Sequence, residues 1–112
     1  MSRKASGARR AVYAPLFAAL GDETRLALIE RLSGGTPCSI AQLTDGTKLT
    51  RQAVTKHLRV LESVKIVRGV KTGRESLFEL GPTPLRLVKD YAEVVSQQWD
   101  QALARLKAFV EQ

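Results

Sequence analysis

The 112-residue sequence has one cysteine, one histidine and six aromatic residues. A single thiol forms no intrachain disulfide, which excludes a disulfide-stapled secreted scaffold. No apolar run approaches the ~20 residues that a membrane-spanning helix needs, so no membrane partner is expected. The apolar stretch 11–20 holds Tyr13 and Pro15 with no cleavage pattern after it, so it does not read as a secretory leader. One His and one Cys leave no nucleophile–base pair in register, and Gly34 and Gly35 read as a helix stop rather than a phosphate cradle. No catalytic residue is assigned and an enzyme is not expected. His57 has no Cys, His or Asp at ligand spacing, so no metal site and no cofactor are expected. With aromatics at 5% and hydrophobic residues at 44%, Leu, Val and Ala must fill the core. That suits helices, in a chain of ordinary single-domain size.

Positive charge is what the sequence has in excess: 18 Lys and Arg against 11 Asp and Glu, a net +7. Residues 47–74 hold eight basic side chains against Glu62 alone, so this window equals the whole net charge and the rest sums to zero. Arg3, Lys4, Arg9 and Arg10 add four positive charges at the start, leaving −4 on 12–46 and 75–112 together. Such segregation fits a body that presents one face to a polyanion, nucleic acid first. All six aromatics lie outside the window, which disfavours RNA, since single-stranded bases are held by stacking.

Residues 1–11 lack hydrophobic periodicity and read as a flexible basic tail; 12–112 read as one domain. A short helix over 12–20 stops at Gly21. Asp22 caps a second helix, with Leu26, Ile29 and Leu32 as its inward stripe and Gly34-Gly35 at its end. Ser39 caps a short third helix carrying Ile40 and Leu43, which stops near Asp45 and Gly46. Thr50 caps a helix over 51–64 in which Val54, Leu58 and Leu61 face inward. Arg51, Gln52, Thr55, Lys56 and Arg59 then face outward. After Lys65 the period drops from about 3.6 to about 2, predicting strands over 66–71 and 75–80. Thr72-Gly73 supplies the turn and Arg74 sits at the tip. Thr83 caps and Pro84 starts a terminal helix over 83–111, with Val88, Val95, Trp99, Leu103, Leu106 and Val110 on its apolar seam. At 1.5 Å per residue it runs ~42 Å, more than the domain needs to cover its own core, so the seam predicts pairing with a second copy.

The order is therefore mainly α: five helices and one β-hairpin, a winged helix-turn-helix. Three segments carry a family likeness: FAALGDETRLALIERLSGG (17–35), LTRQAVTKHLRVLESVKIVRG (49–69) and KTGRESLFEL (71–80). Through them the chain resembles the ArsR (arsenical-resistance-type) winged-helix transcriptional repressors over about 12–112. AVTKHLRVLE followed by IV is the most specific part. The resemblance implies a cytoplasmic, prokaryotic homodimer joined through its first and last helices. It implies binding to an inverted-repeat operator in double-stranded DNA, repression, and release by an inducing signal that the sequence does not name.

Residue by residue, Arg51, Gln52, Thr55 and Lys56 match the family's DNA-facing positions, and Lys71 and Arg74 match wing positions along the DNA backbone. The side-chain chemistry agrees: Arg pairs bidentately with guanine and Gln with adenine, while Arg59, one turn on, suits a phosphate. Phe17, Leu20, Val88, Val95, Trp99, Leu103 and Leu106 are the candidate dimer contacts. Metal-sensing members carry Cys-x-Cys in the third helix, or His and acidic ligands on the last. Here the stretch reads CSIAQL and the last helix has no His, so the likeness is to the subgroup without metal sites. Cys38 has two readings: a small buried residue, or a redox-sensing thiol whose pKa is lowered by helix N-terminal amides. The rival to a DNA-binding regulator is a winged-helix protein-interaction module, with Trp99 and the seam as its working surface.

Overall fold

The first helix, α1 (Arg3–Leu20), already runs through most of the segment expected to be an irregular tail. Ala, Lys and Arg are good helix formers, and that local preference prevails where no apolar stripe exists. The computed structural model describes residues 3–111, so Met1 and Ser2 of the expected tail lie outside the described residues. Pro15 consequently lies inside the helix rather than in its first turn, where it removes one backbone donor.

Three short polar side chains start the next three helices, at the positions expected. Asp22 accepts from the Arg25 N–H at 3.0 Å and opens α2 (Glu23–Leu32). Ser39 opens α3 (Ile40–Thr44) with a reciprocal capping box: its hydroxyl accepts from Gln42 N, and Gln42 Oε1 accepts from Ser39 N at 2.8 Å. Thr50 accepts from Ala53 N at 3.1 Å and opens α4 (Arg51–Ser63). In α2 the buried pair is Leu28 and Leu32, whereas Leu26 is 44% exposed. That corrects the expected stripe: Leu26 lies two residues, about 200°, round the helix from Leu28.

The end of α4 is a Schellman turn. Ile66 N donates to Leu61 O at 3.0 Å and Lys65 N to Glu62 O at 2.9 Å, with Lys65 at φ 65. The turn feeds β1 (Val67–Thr72), which pairs antiparallel with β2 (Glu75–Leu80) from Val67↔Leu80 to Thr72↔Glu75. The turn residues are thus Gly73 and Arg74, one place later than expected, and Gly73 takes the positive φ of 63 that a two-residue hairpin needs. Cys38 extends the wing by one bridge: its N–H donates to Phe78 O at 3.0 Å and its carbonyl accepts from Phe78 N at 2.8 Å. The last helix, α5, spans Pro82–Glu111.

The core is shared by Leu16 and Ala19 of α1, Leu28 and Leu32 of α2, Leu43 of α3, Val54, Leu58 and Leu61 of α4, and Ile66, Val67 and Phe78 of the wing base. Pro84 is the buried residue of α5, with Leu85, Leu87 and Val88 packed partly against the core. Tyr91 then meets Tyr13 and Phe17 of α1, ring centroids 4.8 and 5.3 Å away. Beyond it α5 leaves the body. The overall extents of 66 × 31 × 22 Å and radius of gyration of 18.6 Å record that projection. A compact chain of this length would have about 13 Å.

Candidate nucleic-acid interface

Burial of Val54, Leu58 and Leu61 on one side of α4 forces the opposite side outward. Arg51, Gln52, Lys56 and Arg59 are exposed there and Thr55 is half-buried. Between the outer faces of α3 and α4 lies a concavity of about 730 Å³, lined by Ile40, Ala41, Arg51, Gln52, Thr55 and Lys56 among others. Its lining mixes apolar side chains (Ile40, Ala41, Ala53) with donors and acceptors (Arg51, Gln52, Thr55, Lys56), the chemistry that suits a base edge in the major groove with its donors, acceptors and thymine methyl. Thr55 Oγ1 donates to Arg51 O at 2.7 Å, so its proton is committed to its own helix and its free lone pair is left to accept. A phosphate, which accepts only, is therefore a poor match for this hydroxyl.

The basic window divides into free and paired cations. Arg59 is held by Glu62 and Arg68 by Glu79, each at 2.8 Å, the second pair directly opposite in the β register. Lys48, Arg51, Lys56, Lys65, Lys71 and Arg74 have no ion-pair partner among the described residues. The structure therefore separates Arg59 from the other outward residues of α4: to reach a phosphate it must leave Glu62. Lys71 and Arg74 are exposed on the hairpin. Lys48, exposed on the turn between α3 and α4, was not among the residues singled out from sequence, although its charge was visible there.

His57 faces the other way. Its Nδ1 lies 3.6 Å from Asp22 Oδ2 and 3.5 Å from Arg25 Nη1. Arg25 also donates from Nε to Ala19 O at 2.6 Å and from Nη2 to Ala18 O, satisfying the end of α1. The Arg25 backbone N–H holds the Asp22 carboxyl below its ordinary 3.8, against a desolvation effect that raises it; the Arg25 and His57 charges reinforce the lowering. This junction ties α1, α2 and α4 together, so His57 braces the helix from behind. Nothing in local spacing announces a contact across 35 residues of sequence.

Cys38 is half-buried, and its thiol lies 3.4 Å from the Thr36 carbonyl. Its bridge to Phe78 uses backbone atoms alone and does not engage the thiol. Among the described residues, no three or more His, Cys, Asp or Glu side chains converge to hold a metal, and no helix is long and apolar enough to cross a membrane. Phe17, Trp99, Leu103 and Leu106 are exposed by 39, 64, 55 and 59%, while Leu20, Val88 and Val95 are half-buried.

Comparison with known proteins places these features. A family model described as a helix-turn-helix domain matches residues 20–70. The HTH-type transcriptional regulator Rv2034 of Mycobacterium tuberculosis is 31% identical over 94 residues, covering 73% of this chain and 87% of that protein. The solved ArsR-like transcriptional regulator from Rhodococcus sp. RHA1 superposes with a TM-score of 0.79 at 34% identity, over 91% of this chain and 93% of the other. A homodimeric winged helix-turn-helix DNA-binding domain of Mycobacterium bovis, Mb0332, shares the fold at 18% identity. Its TM-score is 0.65, over 90% of this chain and 93% of that one.

Proposed function

This chain belongs to the ArsR family of helix-turn-helix transcriptional regulators, and on that premise we propose that it represses transcription as a cytoplasmic homodimer bound to an inverted-repeat operator. The observation that carries the reading is the outer face of α4: Arg51, Gln52 and Lys56 are exposed and unpaired on a helix whose inner face is fully buried. Arg51 reads guanine and Gln52 adenine, Thr55 accepts from a base amino group, and Lys56 takes a base edge or phosphate. Lys71 and Arg74 hold the backbone from the wing, with Arg59 joining them once Glu62 releases it.

The homodimer reading rests on α5. Trp99, Leu103 and Leu106 form an exposed stripe beyond the body, continuous with the Tyr91 contact to α1. Monomeric proteins seldom expose so much apolar side chain in one place. Phe17, Leu20, Val88 and Val95 complete the interface, as α1 and α5 of two copies meet. Two reading helices are then held about 34 Å apart, one turn of DNA. The division of the chain belongs to the same reading: one winged-helix domain with a dimerisation helix at its end, the basic residues before Val12 being carried on the first turns of α1.

Fluorescence anisotropy on DNA from upstream of the protein's own gene, against scrambled DNA at two salt concentrations, tests this. Dimer-stoichiometric binding that favours the native DNA by about 10³ or more is expected. Equal binding to both DNAs, erased by salt, would move the interaction-module reading ahead.

A further inference from the structure

A second cavity, of about 550 Å³, lies between α1, the corner joining α4 to β1, and the start of α5. Small-molecule pockets span roughly 300–1,000 Å³. Val12 and Leu16 of α1, Val64 and Val67 of the corner, and Pro84 and Leu87 of α5 supply apolar walls. Three charged residues also line it: Glu62, Lys65 and Arg68. Two of them are already neutralised, Glu62 by Arg59 and Arg68 by Glu79. Lys65 has no ion-pair partner among the described residues. It also occupies the left-handed position of the Schellman turn, φ 65, where glycine is the usual residue. A Cβ there is strained, so the fold alone gives no reason for a lysine.

We propose that this cavity binds a small amphiphilic carboxylate, its apolar body against Leu16, Val67 and Leu87 and its carboxylate on Lys65, and that occupancy alters operator affinity. The second half rests on the DNA-binding reading above. The cavity walls belong to two units: α1 and α5 form the dimer platform, and the α4–β1 corner joins the reading helix to the wing. A ligand that touches both favours one angle between them. It shifts DNA affinity by its difference in affinity for the two arrangements.

Calorimetric titration of the DNA-free protein with decanoate below its micellar range, and with decanol as the uncharged counterpart, tests the site. Saturable binding of one molecule per protomer is expected. Lys65→Gly relieves the backbone strain, so the variant folds at least as well as the parent. It is expected to weaken decanoate by about tenfold or more and leave decanol unchanged. Thr83→Trp, at an exposed position on the cavity lining, is expected to block both ligands. Phe109→Ser, at the far exposed end of α5 and outside the proposed dimer contacts, leaves both unchanged and controls for binding to exposed apolar side chains. No saturable binding, equal decanoate affinity in Lys65→Gly, or loss in Phe109→Ser overturns the site. On an operator selected from random DNA, decanoate is expected to shift affinity by about fivefold or more, and not in Thr83→Trp. An unchanged operator affinity at full occupancy overturns the regulatory half. Failure to select any operator overturns the DNA-binding reading instead, and the calorimetry still decides the cavity.

Discussion

Replacing Lys71 and Arg74 together by alanine isolates the wing. Both side chains are exposed and free of ion pairs among the described residues, so truncation strands no partner. The strand ladder from Val67↔Leu80 to Thr72↔Glu75 is made by backbone groups and persists. Two cations per protomer become four phosphate contacts in a dimer. Each neutralised phosphate contributes roughly 0.9 to the slope of log affinity against log salt, so the double variant is shallower by about 3.6. Across a fourfold change in salt that difference amounts to a factor of about 150 in affinity. Anisotropy titrations at several salt concentrations, on operator and on scrambled DNA, measure it directly. The loss is expected on both DNAs alike, because phosphates carry no sequence. An unchanged slope refutes the wing as a phosphate clamp; a loss confined to the operator makes it a base reader.

Arg51→Ala is expected to cost about 1–3 kcal/mol of operator binding per half-site with little change on scrambled DNA; equal losses on both reduce Arg51 to a phosphate contact. Leu103→Ser with Leu106→Ser strips two exposed side chains, each worth roughly 1.5–3 kcal/mol when buried. The dimer dissociation constant in sedimentation equilibrium should rise by at least about a hundredfold, and an unchanged value sinks the seam as the interface. Asp22→Asn keeps a helix cap but removes its charge. Since the folded pKa of Asp22 lies below 3.8, its ionised form stabilises the fold in full above that value, and the contribution disappears as pH falls through the folded pKa. Urea unfolding should therefore separate the variant from the parent between about pH 5 and 7 and bring them together in stronger acid. A gap that persists there contradicts the assignment.

What was legible in the sequence was periodic or local. Val54, Leu58 and Leu61 recur at helical spacing, so the buried face of α4 and its outward residues followed together. Asp22, Ser39 and Thr50 act through backbone groups two or three residues away, so their caps were readable at short range. The hairpin was found to within one residue because Gly73 is the position that tolerates positive φ. What escaped depends on long-range contact or on a balance of weak preferences. Arg59 and Arg68 look equivalent to Lys56 in sequence, and only the i,i+3 geometry of Glu62 and the cross-strand register of Glu79 set them apart. Leu26 and Leu28 are equally apolar, and packing of α2 against α4 decides which is covered. The start of α1 turns on propensity alone, and the absence of an apolar stripe there does not exclude a helix.

The same long-range contacts explain how a reading helix keeps its place relative to a dimer platform. α4 is tied to that platform at two places, each through an intermediate residue. Midway, His57 meets Arg25, which grips the Ala19 and Ala18 carbonyls at the end of α1. At the C-terminal end, Gly81 N donates to Ile66 O at 2.8 Å, and a Cβ at Gly81 would run into the Lys65 carbonyl, so glycine alone allows the corner to close on the start of α5. In the proposed dimer the spacing of the two reading helices is set by α1 and α5, and it reaches α4 through these two junctions. The first contains a carboxylate, a guanidinium and an imidazole; the second adjoins the apolar cavity with its unpaired lysine. A signal that changes operator affinity without touching the DNA acts most directly at one of these junctions or at the proposed dimer seam, because Val54, Leu58 and Leu61 hold the rest of α4 in a close-packed core.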